Sequence, residues 1–205
     1  MEITVIGASG GTGRQVVGQA LAAGHGVTAV VRRPGAIESA AGLRVEVIAD
    51  LAVAADADRV VAGRDAVISA LGTSTKGPTS VCTDGVHAVL GAMQRTGVRR
   101  LVAVSAHGAS DSRDRSPYSL VLWATLAAKM RDKDRMEELV RASDLDWTIV
   151  RPAALSDSPH SGRYRVGDVP RVGLSTRISR ADLAEFLLRE VTAPAWVHQT
   201  PTIAR

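Results

Sequence analysis

The sequence is poor in several residue types that mark particular classes of protein. Its one cysteine, Cys82, excludes an intrachain disulfide and suits a reducing compartment, where a small, unreactive, buried thiol is expected. The five histidines show no metal-ligand spacing, so we predict no metal site. Aromatic residues make up only 3% of the chain, and the core must therefore be built mainly from Ala, Val, Leu and Ile.

Long apolar runs and clusters of one charge are also missing. No apolar run approaches the roughly 20 residues that span a bilayer, and the N-terminal residues lack the basic and apolar regions of a secretion signal. We therefore expect a cytoplasmic protein without a membrane partner. The 25 basic and 21 acidic residues are interspersed, with no basic run longer than two, and this spread argues against a nucleic-acid partner.

Strand-length apolar runs alternate with amphipathic segments along the chain. Strands are predicted at Ile3–Ile6, Val27–Val31, Val45–Ile48, Ala66–Leu71, Leu101–Val104, Trp147–Val150 and Gln199–Ala204. Helices are predicted at Thr12–Ala23, Val53–Ala62, Ser80–Thr96, Pro117–Ser143 and Ser179–Val191. This alternation predicts an α/β protein of the Rossmann type, with a doubly wound, mainly parallel sheet and helices on both faces. We expect residues 1–205 to form one domain, with a small substrate-side region at about 153–178.

A glycine-rich turn joins the first predicted strand to the first helix. Its spacing, G-x-x-G-x-x-G, allows a tight turn, a close approach of the backbone to a pyrophosphate and close packing of helix on strand. The free N–H groups at the start of the helix attract phosphates. We therefore predict a dinucleotide site made by Gly7, Ala8, Ser9, Gly10, Gly11, Thr12 and Gly13.

The end of the second strand indicates which dinucleotide is bound. An acidic residue there would bond the ribose hydroxyls of NAD, but this chain has Arg32 and Arg33. A guanidinium pairs bidentately with a 2′-phosphate, so the sequence favours NADP(H). The alternative is that both arginines are merely solvated, as is also open for Arg14 on the first helix.

Two further loops follow predicted strands at the edge where the ligand lies. Asp50 and Leu51 are candidates for the adenine edge, although Asp50 is equally suited to capping the next helix. The loop formed by Leu71, Gly72 and Thr73 would lie against the ribose and phosphates of the cofactor. The sequence leaves the oligomeric state open.

The chain resembles the atypical short-chain dehydrogenase/reductases, in particular the single-domain NAD(P)H-binding group with biliverdin reductase B (flavin reductase-like) and NmrA-like members. The resemblance covers nearly the whole chain. It is carried by the motifs Val5–Arg14, Val30–Pro34, Leu101–Ser105 and Leu145–Pro152.

The resemblance implies roles for residues near the nicotinamide. It implies that Ser105 lies beside the nicotinamide at the end of the fifth strand, that Lys133 points into the site from a helix, and that Arg151 and Pro152 close the loop beneath. From the residues alone, Ser105 could instead simply end a strand, and Lys133 could pair with Glu137. The charged segment 131–138 is expected to be a solvated helix face.

The sequence departs from the main branch of that family in its catalytic acid. The Tyr-x-x-x-Lys motif is absent, since Leu122 and Asp168 occupy the positions four residues after the two tyrosines. Ala153 stands where the biliverdin reductases carry a histidine, which argues against a tetrapyrrole substrate. We therefore predict an NADPH-dependent reductase of a conjugated small molecule such as a flavin or quinone, whose own π-system takes up the incoming charge.

Two alternatives to this activity stay open. A non-catalytic NADP(H)-binding sensor or scaffold of the NmrA-like type is the first. An epimerase or dehydratase acting on a nucleotide-linked sugar is the second, weakened by the missing tyrosine. If a side chain donates a proton, the candidates are His107, His160 and Tyr118, which lie in or next to loops predicted to border the cleft.

Overall fold

One eight-stranded sheet organises the computed structural model, which describes residues 1–75, 77–167 and 172–205. Its strands are β1 (Glu2–Ile6), β2 (Gly26–Val31), β3 (Leu43–Val47), β4 (Ala66–Ser69), β5 (Arg100–Val104), β6 (Asp146–Pro152), β8 (Arg165–Gly167) and β10 (Thr202–Ala204). Two short strands, β7 (Ala154–Ser156) and β9 (Arg177–Ser179), pair separately. The helices are α1 (Gly11–Ala22), α2 (Ala54–Val61), α3 (Val81–Thr96), α4 (Pro117–Arg141) and α5 (Arg180–Thr192), with a 3-10 turn at Ser110–Ser112.

The strand order is β3-β2-β1-β4-β5-β6-β10-β8, and the pairs are parallel except for β10 with β8. The chain winds outward in one direction from β1 and then in the other from β4. A crevice therefore opens between β1 and β4 at the carboxyl ends of the strands, which is where such sheets bind ligands. The predicted fold class is confirmed.

Alternating residues of each central strand serve two separate cores. Ile3 and Val5 of β1 pack in the cluster that contains α1 and α5, whereas Ile6 belongs to the cluster with α2, α3 and α4. On that second face Thr4 is also fully buried, and its hydroxyl donates to the carbonyl oxygen of Val60. Because both faces are covered, the strands read as continuous apolar runs.

Strand β4 is shorter than the sequence predicts. The predicted strand runs to Leu71, but the observed strand ends at Ser69. The amide of Ala70 still donates to the carbonyl of Ile6 at 2.9 Å, and the chain then leaves the sheet. The carbonyl of Leu71 is thereby directed to a side chain of α4, as described below.

The helix boundaries follow the capping residues. Ser116 caps α4 by accepting from the amide of Ser119 at 3.2 Å, and Gly97 ends α3 with φ +75°. At α5 the spacing of Ser179 and Asp182 suits a capping box, but only half of it forms. The hydroxyl of Ser179 accepts from the Asp182 amide at 2.9 Å, but the carboxylate of Asp182 turns away to accept from the backbone of residues 161 and 162. Although burial opposes its charge, these hydrogen bonds lower the pKa of Asp182 to about 2.

The expectation that residues 131–138 form a solvated helix face is wrong. Asp132, Met136 and Glu137 are buried, and Glu137 is fully inaccessible. Its carboxylate accepts from Arg151 on β6, with Nε at 3.0 Å and Nη2 at 2.5 Å. A charge pattern on one helix does not reveal that a neighbouring strand supplies the opposite charge.

Arg151 is buried and binds acidic groups on two other elements. It is 3% exposed and also contacts the carboxylate of Asp111, which fastens the 3-10 turn to β6. Burial alone would lower its pKa, but the hydrogen bonds that Arg151 donates to the carboxylates of Glu137 and Asp111 outweigh that effect and raise the pKa of Arg151. The implied role of Arg151 and Pro152 beneath the nicotinamide stays a prediction.

We expect Glu137→Ala to lower the free energy of unfolding by about 3 kcal/mol, because it leaves the Arg151 guanidinium buried without its main counter-charge. Glu138→Ala is the matched control, since Glu138 is exposed on the same helix, and its effect should be within about 0.5 kcal/mol. Urea unfolding followed by circular dichroism measures both. Equal effects of the two substitutions would show that the ion pair does not stabilise the fold.

Candidate functional site

The turn after β1 is built from glycines that the surrounding backbone requires. Gly7 adopts φ +77°, and a Cβ on it would lie 2.8 Å from the carbonyl oxygen of Ala70. A Cβ on Gly13 would overlap the carbonyl oxygen of Gly7. These two glycines allow α1 and the loop after β4 to pack closely against the end of β1. We call the turn from Gly7 to Gly13 the glycine corner, because its surface is formed mainly by backbone atoms.

The first turn of α1 leaves its N–H groups available to a ligand. Gly10 is the capping residue, no side chain accepts from the first turn, and no acidic residue lies there. The positive end of the helix dipole is thus uncompensated at this corner. An uncapped helix start and a glycine corner fit the pyrophosphate of a dinucleotide, which the predicted residues from Gly7 to Gly13 would hold through their backbone.

Three arginines lie beside this turn. Arg32 and Arg33 are exposed directly after β2, and neither pairs with an acidic group among the described residues. Arg14, for which a solvated position was an open alternative, is fixed: its Nε donates to Ser9 O at 3.0 Å and its Nη2 to Ala36 O at 2.6 Å. Arg14 therefore ties the loop that carries Arg32 and Arg33 to the phosphate turn.

The other predicted cofactor loops lie at the same edge. The carboxylate of Asp50 accepts from the amide of Ala52 at 2.9 Å, while Val53 is the capping residue of α2, so Asp50 shapes a turn and does not cap the helix. Gly72 is exposed with open space around it, and Thr73 lies next to it with its hydroxyl 2.5 Å from that of Thr75. Roles for Asp50, Leu51, Gly72 and Thr73 toward the cofactor stay predictions.

Lys133 reaches the carboxyl ends of two strands. Its Nζ donates to Leu71 O after β4 at 3.0 Å and to Val104 O at the end of β5 at 2.5 Å. The alternative pairing with Glu137 is thus wrong, because Glu137 binds Arg151. An ammonium group carries three donors, and two carbonyls leave one N–H for a ligand.

The neighbouring residue, Asp132, holds the start of α3. Its carboxylate accepts from the amides of Cys82 at 3.0 Å and Thr83 at 2.9 Å, and it also accepts from the Thr83 hydroxyl at 2.7 Å. A carboxylate from α4 therefore satisfies the first amides of another helix. This role of Asp132 was not predicted, because a cap supplied from fifty residues away leaves no local signal in the sequence.

Ser105 directly follows β5. Its amide donates to Val150 O at 2.8 Å, and its side chain is buried, with the residue 4% exposed. Its hydroxyl has no hydrogen-bond partner among the residues that the structure describes. A buried hydroxyl without a partner costs about 1–3 kcal/mol, so a ligand that supplies a partner is favoured here.

The candidate proton donors differ in their surroundings. His107 is half-buried, its Nδ1 lies 3.2 Å from Thr202 Oγ1, and its ring packs against Tyr118 with centroids 5.7 Å apart. Burial lowers the pKa of His107 and raises that of Tyr118, so both are neutral at pH 7. His160 is exposed, and its Nε2 lies 2.6 Å from the carboxylate of Glu185 on α5. That nitrogen is therefore already engaged in a surface ion pair.

Cys82 and Pro152 are both buried. Cys82 is buried as expected, and burial raises the pKa of its thiol, which disfavours the thiolate form. Pro152, assigned to the cofactor site, accepts from the amide of His107 at 2.9 Å, which places the loop after β5 against the end of β6. Asp168, where the motif Tyr-x-x-x-Lys would end, lies outside the described residues.

A glycine corner at the switch point of a doubly wound sheet defines a Rossmann dinucleotide-binding protein. A family model described as NAD(P)H-binding matches residues 7–194, and the chain belongs to this family. The predicted class of cofactor is thereby confirmed. Within the described part of the chain, no helix has the length and apolar character needed to cross a bilayer.

Relatives and solved structures are similar over nearly the whole chain. The UPF0659 protein YMR090W of Saccharomyces cerevisiae is 30% identical, over 95% of this chain and 88% of that protein. ChuY, an anaerobillin reductase from Escherichia coli O157:H7, has the same fold with a TM-score of 0.83 at 23% identity, covering 99% of this chain and 96% of ChuY. A short-chain dehydrogenase/reductase from Veillonella parvula, solved in complex with NADP, gives a TM-score of 0.81 at 17% identity, over 100% and 94% of the two chains. The predicted resemblance to the atypical short-chain dehydrogenase/reductases is confirmed.

We expect Gly13→Ala to weaken dinucleotide binding and to lower the free energy of unfolding by about 1–3 kcal/mol, because the new methyl group meets the Gly7 carbonyl. Gly18→Ala is the control in the same helix. Nothing lies within 4 Å of a Cβ at Gly18, so this change should stabilise the protein by about 0.5–1 kcal/mol. Calorimetric titration with NADPH and urea unfolding test both, and a Gly13→Ala protein that binds and unfolds like the parent would contradict the packing described above.

Proposed function

We propose that this protein is an NADPH-dependent oxidoreductase that reduces a conjugated small molecule, such as a flavin or quinone. The observation that carries the proposal is the placement of Lys133 and Ser105. The Lys133 ammonium binds two carbonyls with its three donors, and the buried Ser105 hydroxyl has no hydrogen-bond partner among the described residues. Both residues lie where β4 and β5 end, next to the glycine corner. The reductase ChuY and the NADP complex of the Veillonella parvula protein, which share the fold, support the same reading.

The choice of NADP(H) over NAD(H) rests on charge at the end of β2. Arg32 and Arg33 are exposed there without an acidic partner among the described residues, and Arg14 holds their loop against the phosphate turn. A 2′-phosphate brings negative charge to two guanidinium groups that have no acidic partner among the described residues. A 2′-hydroxyl would need an acidic residue directly after β2 to accept its hydrogen bond, and that place holds Arg32.

Replacing Arg32 or Arg33 by Gln is expected to raise the Kd for NADPH about 10-fold each, because each removes a charge-assisted hydrogen bond of roughly 1.5 kcal/mol. The Kd for NADH should change less than about twofold. Arg135→Gln, an exposed arginine on α4, controls for the change in net charge. Equal loss of affinity for the two nucleotides would mean that these arginines do not read the 2′-phosphate.

When bound, NADPH supplies a hydride to the acceptor, which also gains a proton from water, and NADP⁺ is released. The tyrosine that serves as acid in the main branch of the family is missing, which matters least for an acceptor that spreads the new charge over its own π-system. Lys133 offers positive charge to that developing anion and holds the carboxyl ends of β4 and β5 in register. Ser105 offers its hydroxyl to the nicotinamide amide or to the acceptor.

We expect NADPH oxidation, followed at 340 nm, with at least one of FMN, riboflavin and a benzoquinone as acceptor. Lys133→Met should lower kcat about 10- to 100-fold with a small change in the Kd for NADPH, since its charge acts on the acceptor. Lys129→Met is the control one turn earlier on α4, where the lysine makes no hydrogen bond or ion pair with any residue that the structure describes. Unchanged turnover in Lys133→Met would remove the proposed role of the ammonium.

Tight binding of NADPH without turnover across these acceptors would instead favour the non-catalytic sensor. Measuring nucleotide affinity separately from turnover therefore decides between the two functions. Net oxidation of NADPH with any of these acceptors would also argue against an epimerase. An epimerase returns its nicotinamide cofactor unchanged and therefore shows no net oxidation.

A further inference from the structure

A side chain of α5 reaches the phosphate turn from the far side of α1. The first turn of α5 is bonded to the C-terminal half of α1, where Gln19 Nε2 donates to Ala181 O at 2.9 Å. From there the side chain of Arg180 extends to Gly11, the first residue of α1. A Cβ built on Gly11 would lie 2.7 Å from Arg180 Nε and 2.8 Å from its Cδ.

The crowding at Gly11 differs in kind from that at Gly7 and Gly13. The three atoms nearest to a Cβ at Gly11 all belong to the Arg180 side chain, whereas those at Gly7 and Gly13 are backbone atoms. A methyl group at position 11 would therefore have to displace Arg180 from its place over the first residue of α1. The contact shows that this arginine lies directly against the start of the helix that follows the phosphate turn.

The electrostatics of this placement favour an anion between the two elements. The start of α1 carries positive partial charge, with neither a side-chain cap nor an acidic residue in its first turn. A cation beside a helix N-terminus is unfavourable unless a negative group neutralises both. Among the described residues, the one acidic partner of Arg180 is Asp157, at 2.6 Å from Nη1, and the Asp157 side chain is 88% exposed.

Such an exposed ion pair is weak, so a phosphate that binds arginine more strongly can replace the Asp157 carboxylate as the partner of Arg180. Exposed pairs contribute about 1 kcal/mol or less, whereas arginine and phosphate form stronger, bidentate hydrogen bonds. The Arg180 side chain is 27% exposed, so it is accessible to a ligand at the turn. Asp157 thus holds the Arg180 guanidinium near the turn through Nη1 alone and leaves its other N–H donors available to a ligand.

We propose that Arg180 binds the pyrophosphate of the dinucleotide, on the opposite side from the N–H groups of the glycine turn. The proposal depends on dinucleotide binding by this family and not on the identity of the acceptor. It adds a cofactor-binding residue from α5 to a site otherwise built from the glycine turn with the start of α1, the loops after the strands, and Lys133 of α4.

The test is the affinity of Arg180→Gln for three nucleotides, measured by calorimetric titration or, for the weakest, by competition, without any acceptor. The Kd for NADPH and for NADH should rise by a similar factor, about 10-fold, because both carry the pyrophosphate. The affinity for adenosine 2′-monophosphate, which has no 5′-phosphate, should stay within twofold of the parent. Arg177→Gln, an exposed arginine three residues earlier, is the matched control and should bind all three like the parent.

A double-mutant cycle with Gly11→Ala gives a second readout. The added methyl group displaces Arg180, so Gly11→Ala should weaken NADPH binding in the parent and add little to Arg180→Gln. Unchanged NADPH affinity in Arg180→Gln overturns the proposal, and so does an equal loss for adenosine 2′-monophosphate, which would indicate general damage to the site. If Arg180→Gln does not fold, Arg180→Lys and Gly11→Ala are compared instead, and additive effects reject the proposal. Loss of turnover alone, with these affinities unchanged, bears only on the reductase activity.

Discussion

Two consecutive residues of α4 hold the carboxyl edge of the sheet together. Asp132 satisfies the first amides of α3, and Lys133 binds the carbonyls that follow β4 and end β5. One residue fixes a helix and the next fixes two strands, so three elements of the site share a single support. The starts of the loops after β4 and β5 are thereby held from the side of α4, which leaves their other side open to a ligand.

A second support lies one helical turn further along α4. Glu137 binds Arg151 on β6, and Arg151 in turn contacts Asp111 in the 3-10 turn after β5. Buried ion pairs contribute little net stability compared with apolar packing, but they strongly disfavour arrangements in which either partner is left alone. We interpret the pair as a device that fixes the register of α4 against β6, and with it the direction of Lys133.

The sequence was sufficient for the fold and for the glycine corner, because both depend on local patterns. Apolar runs such as Ile3–Ile6 identify buried parallel strands, and the spacing from Gly7 to Gly13 identifies a backbone-built phosphate turn. It failed for Asp132, Glu137 and Arg180, whose partners lie far away along the chain. Charged residues on a helix look alike in sequence whether they face water or a buried partner, since only tertiary packing distinguishes the two.

The position of β10 has a consequence for the order in which the protein assembles during synthesis. β10 lies between β6 and β8, so β8 has no place in the sheet until residues 202–204 have been made. The sheet that carries the glycine corner is complete by β6, some fifty residues earlier. The strands that carry the glycine corner can therefore pair with one another before β8 has its neighbour in the sheet.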